Sequence, residues 1–223
     1  MMDNNNIKRD IKKGINLSVE YEIEVTDNDG NIIEHRHERS ESLVKNFLML
    51  LYACFKIGTA TVVDTSGSSQ AGAAKCCGDT WSNGYCITSW HNSFSCGPAG
   101  WTPTAPEADD TYGIIVGTSD QPVSVDDYNL ISKIAHGDSA GQLYHYATTM
   151  LEPTVDGNTV RQRFERTFKN NSGADITVKE IGLVVKTSED NYLVMIIRDV
   201  LSTPVTVSTG GKMRVIYRIV TGG

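Results

Sequence analysis

RQRFERTFKNNSGADITVKEIGLVVK, residues Arg161 to Lys186, decides the fold. Together with the preceding residue, Val160, Gln162, Phe164, Arg166 and Phe168 fall on one side of the first half, and Arg161, Arg163, Glu165 and Thr167 on the other. That two-residue period is a strand with one face in a core. The face with three apolar residues is expected to point inward. Gln162 and Arg166 must then find polar partners, because an unpaired buried polar group is costly. Asn171-Ser172-Gly173 is turn chemistry, and Asp175 to Lys186 returns as a second strand. Inside it, Gly182 signals a bulge or the close approach of a neighbouring segment.

The same grammar extends outward. Tyr192 to Val200 and Lys212 to Val220 read as strands joined through Thr209-Gly210-Gly211, and Leu193 to Ile197, apolar throughout, predicts a central strand or one beneath a subunit contact. Upstream lie Gly113 to Gly117, Gln142 to Met150, and Thr159 to Asn170 after a turn at Asp156-Gly157-Asn158. Near the N-terminus, Ile15, Leu17, Val19, Tyr21, Ile23 and Val25 alternate with polar residues. Asp27-Asn28-Asp29-Gly30 then supplies a tight turn, and Asn31 to Arg39 can return antiparallel. Leu43, Val44, Phe47, Leu48, Leu51, Tyr52 and Phe55 change the period to three and four, predicting a helix over Ser42 to Phe55 with Ser40 or Ser42 as N-cap and Leu51 in the core. The expected fold is a mainly β chain, an antiparallel β-sandwich with one packed helix. Residues 15–58 and 111–223 form the sandwich, 1–14 an N-terminal arm that orders against a neighbouring subunit, and 59–110 an irregular insertion.

The insertion, Thr59 to Asp110, is rich in Gly, Ser, Ala, Cys and Trp and has little periodicity; a stretch of that length is functional or cross-linked. Cys76, Cys77, Cys86 and Cys96 are disulfide candidates. Adjacent Cys76 and Cys77 are poor partners for each other, which leaves two pairings with Cys86 and Cys96. Unbridged thiols, or a zinc site using His91, are the alternatives, although close Cys-x-x-Cys pairs are lacking. Cys54 reads as a small apolar residue of the helix. Trp81, Tyr85, Trp90, Phe94 and Trp101 are candidates for contact with a partner, against the alternative of a small local core.

Net charge is -7, from 20 basic and 27 acidic residues, which argues against a general nucleic-acid or anionic-membrane binder. No apolar run approaches the roughly 18 to 20 residues of a membrane span, and the basic first residues lack the apolar core of a secretion signal. The chain reads as made in a cytoplasm, with no cofactor implied. Gly137-Asp138-Ser139-Ala140-Gly141 is similar to the nucleophile segment of chymotrypsin-like proteases but departs at Ala140, and no His stands in that family's context, so it reads as a surface turn. Asp126-Asp127 point to opposite faces in a strand, and Ser124 with Asp127 fits a helix start better. His35 and His37, two residues apart, could bind a metal but read as a solvated hairpin edge.

In order, the pieces SESLVKNFLMLLYACF, YGIIVGTSDQPVSVDDYNLISKIAHG, RTFKNNSGADITVKEIGLVV and LVMIIRDVLSTPVTVSTGGKMRVIYRI resemble a group of tailed-bacteriophage virion structural proteins of the tail or tail-fibre-like kind. The resemblance spans the chain apart from the Cys-rich insertion and the first dozen residues. It implies a non-enzymatic β-rich subunit, repeated in a symmetric ring or lattice of the virion and contacting copies of itself and other virion proteins. A receptor-binding module, using the Cys and aromatic insertion on a host surface receptor, is the alternative.

Overall fold

Two antiparallel sheets share one core. The computed structural model describes residues 16–40, 42–55, 59–73, 81–82, 85–86, 101–187 and 191–222. In chain order these form β1 (Asn16–Thr26), β2 (Ile32–Ser40), α1 (Lys45–Phe55), β3 (Thr59–Val63), β4 (Ser69–Ala73), β5 (Trp81–Ser82), β6 (Tyr85–Cys86), β7 (Trp101–Thr102) and β8 (Gly113–Gly117). They continue with β9 (Tyr144–His145), β10 (Thr149–Met150), β11 (Thr154–Asp156), β12 (Thr159–Lys169), β13 (Ile176–Thr187), β14 (Leu193–Val207) and β15 (Lys212–Gly222).

The larger sheet runs β10-β12-β15-β1-β2, with β9 and β11 also paired to β12. In the smaller sheet β13 pairs with β14, β7 and β8. Alternation fills the space between them: Val19, Tyr21, Ile23 and Val25 of β1, Phe164 and Phe168 of β12 and Met213, Val215 and Tyr217 of β15 pack with Ile181, Leu183 and Val185 of β13 and Val194, Ile196 and Val205 of β14. The mainly β sandwich with one packed helix is therefore the observed fold. The β1–β2 turn follows its chemistry, since the Asp27 carboxylate accepts from the amides of Asp29 (2.9 Å) and Asn31 (2.8 Å) and Gly30 takes φ +88°.

Several expectations need correction. The helix begins at Lys45, not Ser42, and neither Ser40 nor Ser42 caps it. Ser40 is buried, its hydroxyl accepting from the Ser42 amide (3.4 Å), and both serines stand beside the buried Asp199 carboxylate. On α1, Phe47 and Leu50 are buried, Leu51 is only half-buried, and Leu48 and Tyr52 are exposed. With so many apolar side chains around the helix, spacing alone leaves its inward face undecided. β14 is not central, because β13 alone pairs along it. Leu193 to Ile197 are apolar because both faces are covered: Met195 packs into a second cluster with Val44, Tyr112, Ile115, Leu130 and Val184 on the far side of the sheet. The single strand expected over Gln142 to Met150 is broken into β9 and β10. Val160, at the rim, is 38 % exposed rather than inward and covered.

Gly182 answers to close approach rather than a bulge. The register shifts of the β13–β14 pair fall at Val178/Glu180 and Leu183/Val184, whereas a Cβ on Gly182 would lie 3.2 Å from Leu130 and 3.0 Å from the Ile197 carbonyl. The insertion is also narrower than Thr59 to Asp110. β3 and β4 pair as a hairpin that packs on α1, with Ala60 and Val62 buried, and Pro103, Ala105 and β7 belong to the sandwich body. The arm, residues 1–14, lies outside the described residues.

Candidate functional site

The aromatic and cysteine candidates divide. Cys76, Cys77, Cys96, Trp90, Phe94 and His91 lie outside the described residues, as does the side chain of Cys54. For Trp81, Tyr85 and Cys86 only the backbone is described, as the two-residue strands β5 and β6. Trp101 is held by the fold itself: its backbone pairs with Thr187 and its half-buried ring packs against the main core.

Around the sandwich the loops are fastened by two buried arginines. Arg166 enters the core from β12, as its strand parity requires, and its guanidinium is satisfied by main-chain carbonyls. Nε donates to Tyr146 (2.7 Å), Nη1 to Tyr112 (3.1 Å) and Ile114 (2.9 Å), and Nη2 to Asp109. Burial lowers its pKa to about 10. One side chain thus ties the segment before β8 to the segment after β9. Beside it, His145 is fully buried with no hydrogen-bond partner for either ring nitrogen among the described residues, packed edge-on against Phe168 (4.9 Å between ring centres). Burial, reinforced by the charge of Arg166, pushes its pKa down to about 3 and keeps it neutral.

Arg198, on β14, fastens the Thr118–Ser132 loop. Its guanidinium meets the Glu180 carboxylate at 2.9 Å and the Asp127 carboxylate at 2.8 Å, and donates to the carbonyl of Gln121 at 2.9 Å. Glu180, itself fully buried, accepts from the amides of Ile131 (3.2 Å) and Ser132 (2.8 Å). Gly117 leaves room for this: a Cβ there would sit 2.5 Å from a Glu180 oxygen. The expected helix at Ser124 is a turn instead. The Ser124 amide does donate to Asp127 (2.8 Å), but that carboxylate is turned toward Arg198.

The outer face of the larger sheet is a charged ladder. Glu20, Glu22 and Glu24 of β1 are flanked by His35 and His37 of β2 and by Arg214 and Arg218 of β15. His35 meets Glu22 at 2.8 Å, His37 meets Glu20 at 3.1 Å, Arg214 meets Glu24 at 3.2 Å, and Arg218 also pairs with Glu22. Partial burial works to raise the Glu22 pKa, but hydrogen bonds from His35 and Arg218 outweigh it and hold the carboxyl at about 2. His35 and His37 are each 54 % exposed and engaged across the hairpin, as a solvated edge requires. A shallow depression of about 320 Å³ lies on this side, among Tyr146, Thr149, Glu165, Thr167 and Lys212.

The sheet edges are unequal. The far edge of the larger sheet is broken into β9, β10 and β11, of two or three residues each. The β14 edge is covered where the Val44 amide donates to Ile196 and the Arg198 amide to Ser42. Residues 132–134 cover β8 through Thr118 to Ser132 and Ile134 to Val116. β2, nine residues, is open on its outer edge among the described residues, and the later half of β14, interrupted by Pro204, is met there by the Arg36 guanidinium. The inward positions of β2 are charged. Glu38 accepts from Tyr21 (2.6 Å), and Arg36 donates to the carbonyls of Thr203 and Pro204.

Ser139, the residue placed like a protease nucleophile, lies exposed in a turn closed by the Gln142 amide donating to its carbonyl (2.9 Å). The need for polar partners around Arg166 is visible in the alternation of β12. Glu180, Asp127 and His145 gave no such signal: Asp127 reaches Arg198 on a loop of no regular period, Glu180 receives amides of that same loop, and His145 lies on a strand of two residues, too short to show an alternation. No protein-family model, curated protein or solved structure matches the chain.

Proposed function

We propose that this chain is a non-enzymatic structural subunit of a tailed-phage virion that assembles with copies of itself into a ring or lattice. The observation that carries the reading is the asymmetry of the edges. An open edge strand offers unpaired backbone donors and acceptors to another chain, and folds that must remain monomeric blunt such edges. Here the other edges are fragmented, covered or, in the later half of β14, interrupted by Pro204 and met by Arg36, whereas β2 is left free and begins with Ile32 and Ile33, 60 % and 56 % exposed. The charges of Glu34, Arg36 and Glu38 restrict which strand can join it. The resemblance of the ordered sequence pieces to phage virion proteins supports the same assignment. Trp101, committed to the core, weakens the receptor-binding alternative for that one residue.

Electron microscopy and sedimentation of the purified chain over a range of concentrations test the proposal. Closed rings or sheets that disappear in Ile32→Lys/Ile33→Lys are the expected result. A wild-type chain that stays monomeric up to millimolar concentration would overturn it.

A further inference from the structure

The inner face of the larger sheet extends beyond the smaller sheet at one end. There Leu17 of β1, Thr221 of β15, Val160 of β12 and Val155 of β11 stand side by side in register, and all four belong to the inward parity of their strands. Nothing in the described residues covers them: Leu17 is 45 % exposed, Val160 38 % and Val155 73 %. One level further in lies Ile219, and Met150, opposite Phe164, is 49 % exposed. The result is a flat row across four strands, apolar except at Thr221, spanning about 14 Å at the usual strand spacing.

Its size limits the occupant. A stable interface between two folded subunits takes about 20 to 30 residues on each side, so a handful of side chains suits a short segment better than a second sandwich. The chain supplies one at this rim. β1 starts at Asn16, paired with Gly222, one residue before Leu17. The sequence before it, IKRDIKKGI, carries Ile7, Ile11 and Ile15 at intervals of four, which puts them on one side in either regular backbone period. Its charge is opposite to that of the chain. Lys8, Arg9, Lys12 and Lys13 outnumber Asp3 and Asp10, whereas the whole chain is at -7, and the row is bordered by exposed Glu152 and Asp156.

We propose that the N-terminal segment of one copy docks on the apolar row of a neighbouring copy, with Ile7 and Ile11 over Val160 and Val155 and its basic residues toward Glu152 and Asp156. This rests on the assembly reading above. The neighbour is favoured over the same copy because β1 leaves the sheet at the row's own rim. With Ile11 docked, only Lys12 to Ile15 would be available to turn the chain back across its own sheet, while a neighbouring row meets it running straight on.

The test uses a synthetic peptide of residues 1–15, the chain lacking residues 2–13, and that truncated chain carrying Val160→Asp or Val155→Asp. The two substituted positions lie on the exposed rim, and unchanged thermal melts establish that the variants fold. Fluorescence anisotropy should show saturable binding of the peptide to the truncated chain, weakened about tenfold or more, equivalent to 1.4 kcal/mol, by either aspartate. In sedimentation, the full chain should self-associate and the truncated chain should do so more weakly. Absence of peptide binding overturns the docking whatever the assembly state. Peptide binding with a full chain that is monomeric at every concentration places the segment on its own copy and overturns the exchange between copies.

Discussion

Arg166 and Arg198 are both essentially without solvent exposure, one in each sheet, yet they are satisfied in different ways. Arg198 faces two carboxylates, one of them fully buried, so a charge pair was taken out of water there. Arg166 donates its hydrogen bonds to main-chain carbonyls and keeps its positive charge with only partial compensation. A buried ion pair is costly to break on one side. A guanidinium on carbonyls is instead a matter of fork geometry, because four acceptors on two segments need donors in fixed directions. The first arrangement should respond to charge and the second to shape.

The largest effect is expected from Glu180→Ala, which leaves Arg198 with Asp127 alone and strips the amides of Ile131 and Ser132 of their acceptor. It should cost about 3 to 5 kcal/mol in urea unfolding. The double variant Arg198→Met/Glu180→Leu should recover at least half of that. If it recovers none, the loop depends on the ions themselves and not on their mutual neutralisation. At the other arginine, Arg166→Lys keeps the charge and loses the fork, and should cost about 1 to 3 kcal/mol. A neutral outcome would place the role of Arg166 in its charge and erase the contrast.

A third effect comes from the neutral histidine beside Arg166. The His145 imidazole titrates near 3 in the folded chain against 6.5 when unfolded, so between those values the unfolded state binds more protons. Stability is complete above about pH 6.5 and falls as the pH drops toward 3, by at most about 1.4 kcal/mol per pH unit. His145→Phe should flatten that part of the profile, as read by thermal unfolding from pH 7 to 4. The smallest effect is expected at Asp199. Burial raises its pKa despite the hydrogen bond from Tyr217 (2.9 Å), so its ionisation opposes folding above its ordinary value of 3.8. Asp199→Asn should raise the melting temperature slightly at pH 7 and leave it unchanged below pH 3.8.

These contrasts also show what the sequence made legible. Strands with one wet and one dry face declare their parity, so the inward set of β1, the pairing of Phe164 with Phe168 and the burden placed on Arg166 could all be read directly. Leu193 to Ile197 could not be placed, because a strand covered on both faces looks the same whether its edges are paired or capped by a loop. The helix start was misread because Ser40 and Ser42 have the chemistry of caps, and here both stand beside the buried carboxylate of Asp199, far on in the sequence on β14. Asp127 was assigned to a helix start for a similar reason: its short-range partner Ser124 is visible in the sequence, and Arg198, 71 residues away, is not. Val160, at the rim, was read as inward and covered, since alternation reports parity and says nothing of where the opposing sheet ends.

Asn46 carries a further consequence. Its side-chain amide donates to the Val63 carbonyl at 2.8 Å and accepts from the Val63 amide at 3.0 Å, so it occupies the place that a peptide unit of a neighbouring strand would take beside β3. The helix is thereby stitched to the hairpin in the currency of a β-ladder, and neither can open without releasing that pair. In hydrogen exchange the Val63 amide should lose its deuterium-exchange protection together with the amides of α1 rather than with the tip of its own hairpin, which makes helix and hairpin a single cooperative folding unit lying against the sandwich.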